Sequence, residues 1–208
     1  MVDRMSKSKQ HMAPYLESSD FIDWLAPSVN DKALELAEGK ISDDAIAKAC
    51  FEFVRDEIKH SWDDRMNPVT SKASDVLTHG TGYCYAKSHL LAALLRANHI
   101  PTALCYQRLK MTDDRPLFCL HGLNAVYLKK YGWIRMDARG NKEGIMTEFN
   151  PPEESLAFQI RTEGEMDIEE YFSKPLDRVI EVLGNCLNFE EVDECLPDMA
   201  LGSCRDNH

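Results

Sequence analysis

The longest helix-like apolar pattern in the chain runs from Ala86 to Ala97, with Leu90, Leu91, Ala93, Leu94 and Leu95 between them. Apolar residues cover most of the circumference, which predicts a helix buried inside a domain rather than one lying on its surface. A turn with Gly80 and Gly82 precedes it and delivers Cys84 to its first turn. A second periodic stretch has Ile46, Cys50, Phe53, Val54 and Ile58 on one face, with Ser42 as its cap and Asp43 and Asp44 in its first turn. It predicts an amphipathic helix covering one side of the core. Asn30 caps a shorter helix over 31–38 that Gly39 ends. Beyond the apolar helix the pattern turns strand-like. Thr102–Leu109 reads as one strand, Asp113–Pro116 as a turn, and Leu117–Leu120 leads into His121 and the apolar run Leu123–Leu128. After a short turn over 129–132, Trp133–Asp137 reads as the next strand. Successive antiparallel strands after a buried helix indicate an α+β architecture, a central helix packed on an antiparallel sheet.

The flanks are less regular. Phe21, Ile22, Trp24 and Leu25 form an apolar cluster that docks on the core. His60–Ser74 is polar and reads as a loop or short extended segment, and Ser74–Leu77 as one helical turn. Asn150-Pro151-Pro152 breaks the chain. Asp167 caps a segment carrying Ile168, Tyr171 and Phe172. Pro175 opens a helix with Leu176, Val179, Ile180 and Leu183, ending at Gly184, and Glu190–Asp198 reads as a solvated acidic stretch. Residues 1–12 are expected to be a flexible tail. Residues 13–208 are expected to be one domain with its core at 70–140, because neither flank has enough apolar residues for a core of its own.

Candidate chemistry gathers in the middle of this pattern. A helix N-terminus is electropositive and favours the thiolate form of Cys84, the nucleophilic one. His121 and Asp137 lie 16 positions apart on neighbouring strands. They share a face of the sheet if the sum of paired residue numbers is even, which an odd loop or a bulge provides. Cysteine on a helix start with histidine and aspartate on adjacent strands supplies a nucleophile, a base and a group that orients the base. The backbone N–H of Cys84 is a natural donor to a developing oxyanion, and the Trp62 indole is the candidate second donor. Tyr83 and Tyr85 flank the nucleophile and are expected to line the cleft. The other cysteines, at 50, 105, 119, 186, 195 and 204, read as small hydrophobes or exposed thiols. A metal site from Cys84, Cys119, His121 and Asp137 is the weaker alternative, since the paired spacing of zinc frameworks is missing. No calcium loop is present. Neither a metal nor an organic cofactor is expected.

Gly82-Tyr83-Cys84, the helix that follows, Ile100-Pro101, His121–Tyr127 and Trp133–Asp137 together resemble the core of the transglutaminase-like superfamily over about residues 70–140. The likeness is greatest to the small bacterial transglutaminase-like proteins, cysteine peptidases in type. It implies a papain-like fold and a Cys-His-Asp triad formed here by Cys84, His121 and Asp137. Where the family often has glycine after the core helix, this chain has Asn98-His99, two residue types that tolerate a left-handed cap.

A net charge of −11 argues against nucleic acid and anionic membranes as partners. No apolar run is long enough to span a bilayer, and the polar start of the chain lacks the apolar segment of a signal peptide. Seven cysteines, an odd number without close pairing motifs, suit a reducing compartment, so the expected location is cytoplasmic. The expected activity is thiol-dependent attack on an amide, peptide or ester carbonyl. A thioester is then resolved by water, as in a hydrolase, or by an amine, as in a glutamine acyltransferase. Expected partners are peptide, protein or small acyl substrates. A binding module that keeps the triad as a relic is the alternative from another class.

Overall fold

The computed structural model describes residues 12–111 and 117–199. The sequence expectations for 1–11, for the 113–116 turn and for Cys204 lie outside the described residues. A 3-10 turn at Ala13–Leu16 leads to helix α1 (Pro27–Ala37), which starts earlier than the Asn30 cap suggested. Pro27 occupies its first turn, where a missing N–H costs nothing. Helix α2 (Asp43–Asp56) starts as expected, with the Ser42 side chain accepting the Ala45 N–H.

Next come strand β1 (Lys59–His60), helix α3 (Ala73–His79), strand β2 (Thr81–Gly82) and helix α4 (Cys84–Ala97). Every residue of α4 from Cys84 to Arg96 is buried, as its circumferential apolar pattern requires. Helices α1, α2 and α3 pack against it. At its end His99 takes the left-handed conformation, φ 57°, where the family often has glycine.

Strands β3 (Thr102–Lys110), β4 (Phe118–Leu128) and β5 (Gly132–Met136) form an antiparallel sheet against α4. The second face of the sheet is covered too. Ala103, Cys105, Leu123 and Ala125 are buried there beneath Tyr15, Trp133, Leu156 and Tyr171. Burial on both faces explains why β3 is buried along nearly its whole length instead of alternating.

Strand β6 (Met166–Asp167) adds to the free edge of β3, giving the order β5-β4-β3-β6. This corrects the helical segment expected after Asp167: Ile168 continues the ladder by donating its N–H to the Tyr106 carbonyl. Helix α5 (Asp177–Asn185) contains Gly184 rather than ending at it. Helix α6 (Phe189–Glu194) corrects the solvated reading of the acidic tail, because Phe189 and Val192 are buried.

Candidate active site

The centre of the site is made by one close approach. Gly122 of β4 lies against the first turn of α4, where an added Cβ would stand 3.1 Å from the Tyr85 Cα and 3.0 Å from its ring. Only glycine allows the strand this near the helix. The Gly122 N–H points at the Cys84 sulfur at 3.5 Å, and the neighbouring His121 is thereby brought to the same thiol.

The β4–β5 register pairs Asn124 with Met136, an even sum, and Leu128 with Gly132 across a three-residue loop. Extended by one residue, this register sets Asp137 opposite Leu123, on the same face as His121. The His121 Nε2 lies 2.7 Å from the Asp137 Oδ2, within ordinary charge-assisted hydrogen-bond range. Cys84 also stands close enough to the imidazole to help hold its proton, and the N–H of the next residue, Gly122, reaches the Cys84 sulfur. The three residues that the sequence suggested are therefore gathered in one place, with His121 hydrogen-bonded to Asp137 and next in sequence to the Gly122 that meets Cys84.

Electrostatics favour a charged imidazole. Burial opposes the charge on His121, but the Asp137 carboxylate and then Cys84 more than offset it, and the ring is pushed up to about 10. Burial likewise opposes ionising Asp137, yet its carboxyl is held below the usual range by His121 and by two backbone donors. Those donors are the Arg139 N–H to Oδ1 at 3.1 Å and the Ala157 N–H to Oδ2 at 3.0 Å. The Phe158 ring meets His121 edge-on at 4.9 Å and limits how it can turn.

Cys84 is 8% exposed and opens on a cleft of about 710 Å3. Trp62, Tyr83 and Tyr85 all line this cleft, as expected. Their roles divide. The Tyr83 hydroxyl donates to the Phe189 carbonyl at 2.6 Å and the Tyr85 hydroxyl to the Leu120 carbonyl, so both are spent on packing. Trp62 is 41% exposed, with its ring edge against Phe189 at 5.9 Å. As for the metal alternative, no group of three or more His, Cys, Asp and Glu among the described residues is arranged to hold an ion.

Sequence reasoning passed over one cleft residue. Strand β1 pairs in parallel with β2, His60 opposite Gly82, and this puts His60 beside the glycine turn that carries Cys84. Its ring stands edge-on to Tyr83 at 5.4 Å and lines the same cleft. Its Nδ1 lies 3.6 Å from the Asp63 Oδ2. Asp63 in turn accepts from the Arg139 guanidinium and the Lys142 ammonium, each at 2.6 Å. The His60-x-x-Asp63 spacing was readable as an imidazole and a carboxylate three residues apart. Nothing in it linked that pair to Cys84, because a two-residue ladder leaves no periodicity.

No curated protein matches the sequence significantly. Among solved structures, the fold is similar to a candidate cysteine protease from Cytophaga hutchinsonii, with 21% identity, a TM-score of 0.49, and coverage of 62% of this chain and 42% of that one. It is also similar to the periplasmic domain of TgpA from Pseudomonas aeruginosa, with 17% identity, a TM-score of 0.46, and coverage of 60% and 45%. A structure described as a TGase aligns with 17% identity, a TM-score of 0.43, and coverage of 73% and 41%. The chain thus spans less than half the length of each of these proteins. The sequence profile of the transglutaminase-like superfamily matches residues 30–138, a span that opens in α1 and closes just after Asp137. With more than half of its residues inside that match, the chain belongs to the transglutaminase-like superfamily.

Proposed function

We propose that the protein is a cysteine-dependent enzyme acting on acyl carbonyls, with Cys84 as nucleophile, His121 as proton carrier and Asp137 as the group that holds His121. The observation carrying this reading is the 2.7 Å contact between His121 and Asp137, with Cys84 beside the same imidazole. Cys84 heads α4 beside His121, the arrangement of a thiol nucleophile and its proton carrier. The thiolate attacks the carbonyl carbon and the carbonyl oxygen takes up negative charge. The backbone N–H of Cys84 points there from the helix start and stabilises that charge. His121 gives its proton to the departing amine or alcohol as the carbonyl reforms, leaving a thioester. Water or an amine then attacks the thioester, His121 takes its proton, and Cys84 leaves as thiolate.

The cleft accepts a peptide, a protein segment or a small acyl compound, and works in a reducing compartment such as the cytoplasm. Against a binding-only role stands the place of the thiol: Cys84 lines the cleft. Alkylation tests the reading. Iodoacetamide at neutral pH is expected to modify Cys84 faster than the other six cysteines, with the preference lost in His121→Ala. Equal labelling of all seven would refute it.

A further inference from the structure

Two histidines line the cleft, His121 and His60; each has an aspartate beside it, Asp137 and Asp63, and Arg139 joins the two pairs. Its backbone N–H serves Asp137 and its guanidinium serves Asp63. The second pair has an unusual hydrogen-bond balance. His60 is 7% exposed, and its Nδ1 is buried without a hydrogen-bond partner among the described residues. An orphaned polar atom in a protein interior costs free energy and calls for an explanation. The Asp63 carboxylate stands 3.6 Å from Nδ1. A lone pair facing a carboxylate would be repelled, so Nδ1 carries the ring's proton. Burial, then the neighbouring Arg139 cation, hold His60 well below the usual imidazole range, so the ring bears one proton and not two. Its Nε2 is then an acceptor. The ring borders the cleft beside Tyr83, the residue before Cys84.

We propose that His60 contacts the nucleophile that resolves the acyl-enzyme, accepting one of its hydrogens at Nε2 and so aiming it at the thioester. This rests on the proposed thioester mechanism. Water and a primary amine each carry two hydrogens on the attacking atom. One is held by His60 and the other is the proton that His121 removes. The new C–O or C–N bond forms as the C–S bond breaks, the electron pair returns to the Cys84 sulfur, and the proton stays on His121. His60 itself gains no proton. It is needed when the second nucleophile arrives, not when Cys84 first attacks.

Stopped-flow turnover of 4-nitrophenyl acetate separates the two halves of the reaction. The burst of nitrophenolate reports acylation of Cys84, and the slow phase reports resolution of the thioester. In His60→Ala the burst rate is expected to stay within about twofold of wild type, while the slow phase falls by about tenfold to a hundredfold. His60→Gln, whose amide oxygen can accept a hydrogen bond, is expected to recover part of the slow phase. An intact burst also reports that the variant is folded. A slow phase unchanged in His60→Ala, or a burst slowed in the same proportion, would overturn the proposal, because a merely structural role would move both phases together. A wild type that shows no burst and no acetyl group on Cys84 would instead strike at the thioester mechanism itself.

Discussion

Gly122 shows how far a single residue decides this site. Its missing Cβ allows β4 to touch the backbone of Tyr85, and His121 follows the strand. In Gly122→Ala the strand must back away by a few tenths of an ångström or more. The expected cost is about 1–3 kcal/mol in urea unfolding, together with slower alkylation of Cys84. A variant that loses stability yet alkylates at the wild-type rate would separate the close approach from the chemistry. Asp137→Asn removes the charge that holds the imidazolium and is expected to lower turnover by about 10⁴-fold with the fold intact by circular dichroism. The pH dependence follows from the same pair. An unfolded imidazole titrates near about 6.5, whereas folded His121 is pushed up to about 10. The folded state therefore keeps a proton that the unfolded state releases between those values. The stabilisation from His121 is fully present below the unfolded value and is lost as pH rises through the folded one. Lys87 works in the opposite sense, since burial pushes it down to about 7. The clean measurement is thus the difference in urea midpoint between wild type and His121→Gln, which is expected to shrink from pH 6 to pH 10. At this scale the three residues of the proposed triad could be singled out in the sequence because each sits at a pattern boundary: a helix start, a strand entry and a strand end. His60 was not readable, since its place in the site comes from the short ladder to Gly82.

At the scale of elements, α4 holds the molecule together through polar groups as well as apolar ones. Arg96 is 1% exposed and donates to the carbonyls of Thr102, Glu17 and Ser173 at 2.7–3.0 Å. It ties the end of the helix to β3 and to the segments before α1 and after β6. Arg96→Met fills similar space but strands those three carbonyls, and is expected to cost about 2–4 kcal/mol, read by urea unfolding. A loss under about 0.5 kcal/mol would mean that the carbonyls find other partners, water first among them. The elements that the sequence located, α1, α2, α4, α5 and β3 to β5, are those long enough to repeat a pattern. Those it missed are short or differently controlled. β1 and β6 have two residues each and exist only because a neighbouring strand offers an edge. Helix α6 has six residues, mostly acidic, and owes its place to Phe189 and Val192 entering the core. Helix α1 was expected, and only its start was misplaced, because it begins at a proline that a polar-cap reading passes over.

For the molecule as a whole, the sheet is buried on both faces and the central helix is buried all round. The proposed catalytic groups, anchored at the meeting point of helix and sheet, are held by packing that needs no ligand to complete it. The family was legible because its motifs lie in order along one continuous stretch, and the profile match covers the same stretch. The substrate was not legible. The cleft is walled by side chains brought in from segments far apart in sequence, among them Trp62, Met146, Phe158 and Arg161, and no local pattern announces such a gathering. The account stands on one covalent event at one atom. The direct test is to mix the protein with 4-nitrophenyl acetate, quench in acid during steady turnover, and map the acetyl group by peptide mass spectrometry. The account predicts the acetyl group on Cys84 in wild type, and neither adduct nor turnover in Cys84→Ala. Turnover at the wild-type rate in Cys84→Ala, or acetyl groups spread over the other cysteines with Cys84 unmodified, would contradict it.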